Sequence, residues 1–120
     1  MNYNLKATDL ILSDEIRAYV EKGLAHADKF AADEPTAHAD VELQHLEGGR
    51  SGKYRAEFTL EMSGSVYRAS RWGATLHEAI DLASDELRGE LSRDKKKKLN
   101  VFRRSAVRVK EYLRGWRRKV

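Results

Sequence analysis

Residues 54–72, YRAEFTLEMSGSVYRASRW, consist of two alternating segments joined by a short turn. The first segment has an apolar side chain at every second position: Tyr54, Ala56, Phe58, Leu60 and Met62. Alternation of this kind is typical of a β-strand with one buried face. Ser63 and Gly64 fit a two-residue hairpin turn. This turn sets two cross-strand pairs, Leu60 with Tyr67 and Phe58 with Ala69. Because this register keeps one face apolar, the stretch predicts an antiparallel hairpin packed against a core.

The residues before the hairpin predict a strand, a helix and a further strand. Residues 2–7 and residues 39–44 alternate in the same way, so both segments are predicted strands. Between them, Ser13 is a suitable N-cap and is followed by two acids, which favour the start of a helix. Apolar residues then recur at helical spacing: Ile16, Val20, Leu24, Ala27 and Ala31. The helix is predicted to end before Pro35, the only proline of the chain.

A second helix is predicted directly after the hairpin. Thr75 and Glu78 form the capping box T-x-x-E, and an apolar stripe follows it: Leu76, Ile80, Ala83, Leu87 and Leu91. The predicted order is therefore β-α-β-β-β-α, an α+β fold in which a four-stranded sheet has both helices on its apolar face. We assign residues 1–98 to this domain and residues 99–120 to a basic amphipathic C-terminal extension.

The extension has its own apolar repeat. Phe102, Ala106, Val109, Leu113 and Trp116 recur at spacings of four, three, four and three, with basic residues between them. This pattern predicts a third, basic amphipathic helix. Because a short helix without tertiary contacts is marginal in water, we expect the extension to become ordered mainly on a partner.

Charge is divided unevenly along the chain. Residues 88–120 contain 14 Lys or Arg and 3 Asp or Glu, a net charge of +11, whereas the other 87 residues contain 9 basic and 16 acidic side chains, a net charge of −7. The densest part of the basic end is SRDKKKKLNVFRRS, residues 92–105, with seven basic side chains. A basic end of this size predicts a polyanionic partner, and nucleic acid is the leading candidate.

The sequence does not favour an enzyme. HEAID, residues 77–81, resembles a zinc-protease helix but has Asp81 where the second histidine should stand. GGRSGK, residues 48–53, resembles a phosphate-binding loop, but Tyr54 replaces the Ser or Thr that would hold magnesium. We therefore expect no catalysis, no metal, no cofactor and no small-molecule substrate.

The N-terminal residues and the composition favour the cytoplasm. MNYNLKATDL lacks the features of a signal peptide, and no segment is long and apolar enough to span a bilayer. The chain has no cysteine, which fits a reducing compartment. We expect a cytoplasmic protein without a membrane partner.

The helices, rather than the sheet, are the predicted RNA-binding surface. The open sheet face is predicted to display Asp40, Glu42, Glu57 and Glu61, which would repel phosphates. The candidate RNA-binding residues are basic side chains of the two helices and the extension: Lys22, His26, Lys29, Arg88, Arg93, Lys95, Lys96, Lys97, Lys98, Arg103 and Arg104. Those of the first helix share one stripe because they are spaced i, i+4 and i+7. Those of the second follow one another closely and could neutralise several phosphates at once.

Two segments resemble a known family. ATLHEAIDLASDEL, residues 74–87, is similar to the second helix of the ribosome hibernation promoting factor and ribosome-associated inhibitor A family, which opens with D-M-Y-x-A-I-D and continues with L-x-x-D-K-L. The matching residues are Ala79, Ile80, Asp81, Asp85 and Leu87, whereas Thr75, Leu76 and His77 replace the family's Asp, Met and Tyr. YVEKGLAHADKF, residues 19–30, resembles the family's first helix; Lys29 matches a basic position there, and Gly23 and His26 replace two others.

The resemblance implies a short-form hibernation factor with the β-α-β-β-β-α fold. Members of the family bind the small ribosomal subunit between head and body and occlude the messenger and transfer RNA sites. The implied function is inhibition of translation by occupancy, the implied partners are the small subunit and its ribosomal RNA, and we expect a monomer when the protein is free. In this view the phosphates of ribosomal RNA are the partner of the basic end.

Two alternatives remain at this point. One is a double-stranded RNA-binding module that is not specific to ribosomes, because α-β-β-β-α is the order of that module. The other is a protein-interaction or membrane-surface adaptor that acts through the basic amphipathic extension, with Phe102, Val109, Leu113 and Trp116 on its apolar face.

Overall fold

The structure, a computed structural model, describes residues 1–31, 34–47, 53–62 and 64–118, and it describes side chains up to residue 97. The elements are β1 (Asn2–Thr8), α1 (Asp14–Phe30), β2 (His38–His45), β3 (Tyr54–Met62), β4 (Ser65–Gly73) and α2 (Leu76–Arg118). The predicted order β-α-β-β-β-α and the α+β class are confirmed.

The four strands form one mixed sheet in the order β1-β2-β3-β4. β1 and β2 are parallel and are joined through α1, whereas β3 is antiparallel to both of its neighbours. The predicted hairpin register is confirmed, since Leu60 pairs with Tyr67 and Phe58 pairs with Ala69. Gly64 has a φ of 76°, a left-handed conformation that suits glycine in a tight turn. Ser63, the other predicted turn residue, lies outside the described residues.

The core lies between the sheet and the two helices. Its largest fully buried side chains come from both helices and the two central strands: Val20, Val41, Leu43, Phe58, Leu60, Ile80 and Leu91. Burial of each such side chain contributes about 1.5–3 kcal/mol, so this layer dominates the stability of the domain. Tyr3 and Leu5 are only partly buried because β1 is an edge strand.

Both predicted helix starts are capped as expected. Ser13 Oγ accepts a hydrogen bond from the Ile16 amide at 3.2 Å, and Thr75 Oγ1 accepts one from the Glu78 amide at 3.1 Å. These bonds satisfy amides that have no partner within the helix, which typically stabilises a helix by about 1 kcal/mol. The caps therefore fix where each helix begins after its strand.

The extension is not a separate third helix, because α2 runs without a break from Leu76 to Arg118. The physical reason is local: SRDKKKKLN, residues 92–100, contains no glycine or proline and is rich in lysine, which is a good helix former. At 1.5 Å per residue, α2 is about 64 Å long. The boundary that we assigned between residues 98 and 99 therefore falls within a continuous helical backbone. Within the described residues, no helix combines the length and the apolar character that a bilayer crossing requires.

Candidate nucleic-acid interface

α1 and α2 lie side by side and run in the same direction. Contacts between the helices advance together along both of them: His77 Nε2 lies 3.5 Å from Glu15 Oε1, the Tyr19 hydroxyl donates to Asp81 Oδ1 at 2.6 Å, and a Cβ on Gly23 would lie 3.2 Å from Ser84 Cβ. Because the helices are parallel and Gly23 lies beside Ser84, the last turn of α1 lies level with about residue 90 of α2. Lys29 therefore lies level with Arg88 and Arg93, whereas Lys22 lies midway along α1 and the lysines from Lys95 onward lie beyond the C-terminal end of α1.

On α1, the predicted residues lie on the helix surface away from the core. Lys22 and Lys29 are exposed and His26 is half-buried. The acids on the flank of α1 beside β1 are occupied, since the Tyr3 hydroxyl donates to Glu21 at 2.8 Å and the N-terminal amino group lies 3.0 Å from Asp28. Of these two acids, only Asp28 has a charged partner, so the N-terminal amino group neutralises one negative charge next to Lys29.

On α2, the predicted residues with described side chains are all at the surface: Arg88, Arg93, Lys95, Lys96 and Lys97. Arg88 lies 4.0 Å from Asp85, a weak pair at the surface. Arg93 folds back over Gly89, with its Nη1 only 3.2 Å from where a Cβ would be. Among the described residues, neither Arg93 nor Lys95–Lys97 forms an ion pair. We call residues 93–97 the basic segment of α2; its cations are available to a phosphate backbone.

Three of the predicted residues cannot be placed by their side chains. Lys98, Arg103 and Arg104 lie on the helical backbone of α2, but their side chains are outside the part of the chain that the structure describes. The same holds for the apolar stripe from Phe102 to Trp116. The assignment of these residues to RNA binding remains a prediction.

Two interactions that the sequence did not reveal hold α2 on the sheet. The Tyr67 hydroxyl of β4 donates a hydrogen bond to Asp94, and Arg71 Nη1 lies 3.2 Å from Glu86 Oε2. Asp94 is in the same turn as Arg93 and the first lysines, so the bond from Tyr67 determines where the basic segment leaves the sheet. The alternation of β4 placed Tyr67 on the buried face, but no signal in a single sequence pairs residues 27 positions apart.

The open sheet face has the acidic residues that the sequence predicted. In the register, Glu42 lies directly opposite Glu57, an unfavourable pair of like charges. Arg55 lies between these two carboxylates and offsets their repulsion. Its Nη2 is 3.5 Å from Glu42 Oε1, and its Nη1 is 2.5 Å from Glu57 Oε2. Its Nε also donates to Gln44 Oε1 at 3.2 Å. Arg55 is therefore engaged with the protein's own carboxylates, and it is not free to hold a phosphate.

The rejected enzyme motif has a structural role. The His77 ring packs edge-on against Tyr19, with 4.5 Å between the ring centroids, and its Nε2 faces Glu15. Within the described part of the chain, no three side chains of the metal-binding types converge on one point. The hydrogen bond from Tyr19 to Asp81, with some burial and the negative charge of this carboxylate, raises the pKa of Tyr19 above its ordinary value of 10.0. This cluster fixes the relative position of the two helices. The prediction for the GGRSGK loop stays a prediction, because residues 48–52 lie outside the described residues.

Comparison with known proteins agrees with the family resemblance of the two helices. The family model described as sigma 54 modulation protein / S30EA ribosomal protein matches residues 3–99. A ribosome hibernation promotion factor from Picosynechococcus sp. is 31% identical over 98 residues, covering 81% of this chain and 50% of that protein. A second one, from Deinococcus radiodurans, is 27% identical over 93 residues, covering 78% of this chain and 48% of that protein. The chain thus spans about half the length of these curated relatives.

A solved structure supports the fold as well as the family. The crystal structure of the N-terminal domain of Thermus thermophilus Protein Y superposes with a TM-score of 0.65 at 36% sequence identity, covering 78% of this chain and 98% of that domain. The match by the family model extends over most of the chain, in agreement with the resemblance found in the two helices. The chain therefore belongs to the sigma 54 modulation protein / S30EA ribosomal protein family, which is the family of the ribosome hibernation promotion factors.

Proposed function

We propose that this protein is a ribosome hibernation factor that binds the small ribosomal subunit in the channel for messenger and transfer RNA and inhibits translation by occupying it. Family membership supports the ribosome as the partner. The observation that carries the finer proposal is the parallel arrangement of α1 and α2. It brings Lys29, at the end of α1, level with Arg88 and Arg93 and directly before Lys95–Lys97 of α2.

The chemistry of this end suits a folded RNA better than a small ligand. Exposed lysines without ion-pair partners neutralise phosphates and release counterions, a contribution that grows with the number of phosphates neutralised. Such interactions give affinity but little selectivity, so the shape of the rigid domain supplies the fit to one channel. The proposed mechanism is competition for space, and it requires no catalytic group, metal or cofactor.

Sedimentation of the full chain with purified small subunits tests this proposal. We expect co-sedimentation, and we expect messenger and transfer RNA to displace the protein because they occupy the same channel. A plain RNA duplex should not compete at equal concentration. Equal competition by the duplex would favour the double-stranded RNA-binding module, and binding that survives nuclease treatment of the subunits or follows anionic vesicles would favour the adaptor.

A charge-matched pair of variants tests which residues bind the phosphates. Replacing Lys95, Lys96 and Lys97 by alanine keeps the helix propensity of α2, because both residue types are good helix formers. The slope of log affinity against log salt should become shallower by about 0.7–0.9 for each phosphate that these lysines neutralise in the wild-type complex.

The matched control removes the same charge elsewhere, with Lys6, Arg17 and Lys53 replaced by alanine. We expect the control to keep the salt slope of the wild type, since these residues lie on the open sheet face, at the start of α1 and before β3. Equal slopes for the two triple variants would contradict the assignment of the interface.

A further inference from the structure

The end of the molecule opposite to the basic segment has a different character. β1, β2 and β4 run in one direction, and α1 and α2 begin just after β1 and β4. Both helix starts therefore lie at the same end of the sheet, together with residues 9–13. We call this region, residues 9–15 with residues 74–78, the capped end.

The capped end holds an aliphatic side chain out in solvent. Ile11 is 91% exposed, the largest value among the exposed large hydrophobic residues of the described chain. The two neighbouring leucines, Leu10 and Leu12, pack against the core and anchor the loop on both sides of Ile11. Asp9 begins the loop with a φ of 57°, a left-handed conformation that non-glycine residues adopt rarely. The loop is thus anchored on both sides of Ile11, whose side chain lies in solvent.

The exposed charges of the capped end are mainly acidic. A helix start attracts anions, and at each start here a side-chain oxygen of Ser13 or Thr75 already accepts from one of the first amides. Exposed carboxylates outnumber exposed lysines and arginines here: Arg17 and Lys53 lie at this end together with four acids, Asp9, Asp14, Glu15 and Glu78. Phosphates would meet like charge on this surface, whereas lysine and arginine side chains would meet complementary charge.

We propose that the capped end docks a basic protein segment, with Ile11 buried in an apolar site of that segment, so that the bound molecule contacts a ribosomal protein at this end and ribosomal RNA at the other. This inference rests on the proposed function, because the ribosome supplies the partner. A polar rim around one well-buried apolar anchor is the usual organisation of a protein–protein interface. The occupant that fits is a lysine- or arginine-rich protein surface with an apolar pocket.

Photo-crosslinking on purified small subunits tests the inference. Benzoylphenylalanine is placed at position 11 in one full-chain variant and at position 22 in another. We expect the position-11 adduct to be a ribosomal protein that resists nuclease, and the position-22 adduct to be nuclease-sensitive ribosomal RNA. An adduct from position 11 to RNA or to a second copy of the chain, or no adduct while position 22 reacts, would overturn the inference. If neither variant sediments with the subunit, the proposed function itself fails and the inference fails with it.

Affinity measurements give an independent result. Ile11→Ser should weaken binding to the small subunit about tenfold, which corresponds to about 1.4 kcal/mol, and Ile11→Leu should restore most of it. The salt slope of Ile11→Ser should equal that of the wild type, because the same phosphates remain neutralised. Since Ile11 is exposed, the melting temperature should not change. Wild-type affinity of Ile11→Ser, or a reduced salt slope, would overturn the inference.

Discussion

Gly23 sets the distance between the two helices that carry the predicted interface, and its replacement by alanine has two opposing effects. An alanine Cβ would lie 3.2 Å from Ser84 Cβ and 3.8 Å from Ile80 Cγ2. The first distance is shorter than the optimum of about 3.5–4.0 Å between carbon atoms. Ser84 Cβ is fixed to the backbone of α2, so a rotamer change cannot relieve the clash, and the helices have to separate.

The magnitudes of the two effects determine the sign. Glycine to alanine inside a helix gains about 1 kcal/mol of propensity, whereas overpacking a well-packed interface costs about 1–3 kcal/mol. Gly23→Ala should therefore leave the free energy of unfolding unchanged or lower it by up to about 2 kcal/mol. In a Ser84→Gly background the close atom is absent, so the same change should stabilise by about 1 kcal/mol.

A double-mutant cycle measured by urea denaturation isolates this pair. The expected coupling energy between positions 23 and 84 is about 1–3 kcal/mol. The bond from Ser84 Oγ to the Asp81 carbonyl, at 3.1 Å, is absent from both arms that carry Ser84→Gly and cancels. Ser84→Ala is the matched control, because it keeps Cβ and should reproduce the wild-type response to Gly23→Ala. Stabilisation by Gly23→Ala in all three backgrounds would refute the packing argument.

Three further predictions concern the sheet, the anchor of α2 and the helix pair. Gly73→Ala should lower the free energy of unfolding by about 1–3 kcal/mol, because its Cβ would lie 2.6 Å from a backbone nitrogen of α2. For Gly64→Ala the new Cβ meets no atom within 4 Å, and the only strain comes from the positive φ. This variant should lower the free energy of unfolding by about 1–2 kcal/mol in the same urea titration. Tyr67→Phe should speed amide exchange in residues 90–97, since it removes the bond to α2, and unchanged exchange would count against an anchoring role. The bond to Asp81 raises the pKa of Tyr19 in the folded protein. This bond therefore stabilises the fold fully below pH 10.0, and the stabilisation is lost as the pH rises through the folded pKa. Tyr19→Phe should remove this loss of stability at alkaline pH, and an unaltered dependence of stability on pH would contradict the assignment.

The local elements could be predicted from the sequence because their causes are local. Alternation set the hairpin register, and the two caps marked the helix starts at Ser13 and Thr75. The predicted helicity of the extension is confirmed, but its separation from the second helix is wrong for the complementary reason. The apolar repeat after Phe102 predicts a new helix, but residues 92–100 contain no glycine or proline that would end the preceding one.

The candidate site was predictable only in part. Helical periodicity identified the exposed basic stripe of Lys22 and Lys29, and the run of lysines on α2 needed no structure to be seen. The alignment of the two helices was not predictable, since it depends on contacts between residues about 60 positions apart, such as Tyr19 with Asp81. A single sequence does not show which distant residues are in contact. The net charge of a segment likewise does not show which charged side chains lie close together in the fold.

The uneven distribution of charge affects orientation as well as affinity. A protein that is basic on all sides would bind RNA in many poses, because phosphate contacts do not distinguish one backbone from another. Here two surfaces are mainly acidic. On the open sheet face Arg55 is paired with Glu42 and Glu57, and exposed carboxylates lie at both helix starts. Each pose that turns one of these surfaces toward RNA is penalised by like-charge repulsion, whereas the pose led by the basic segment is favoured. Under the proposed function, the net charge of −7 outside residues 88–120 therefore contributes to specificity, by making the wrong orientations unfavourable before any shape-dependent contact has formed.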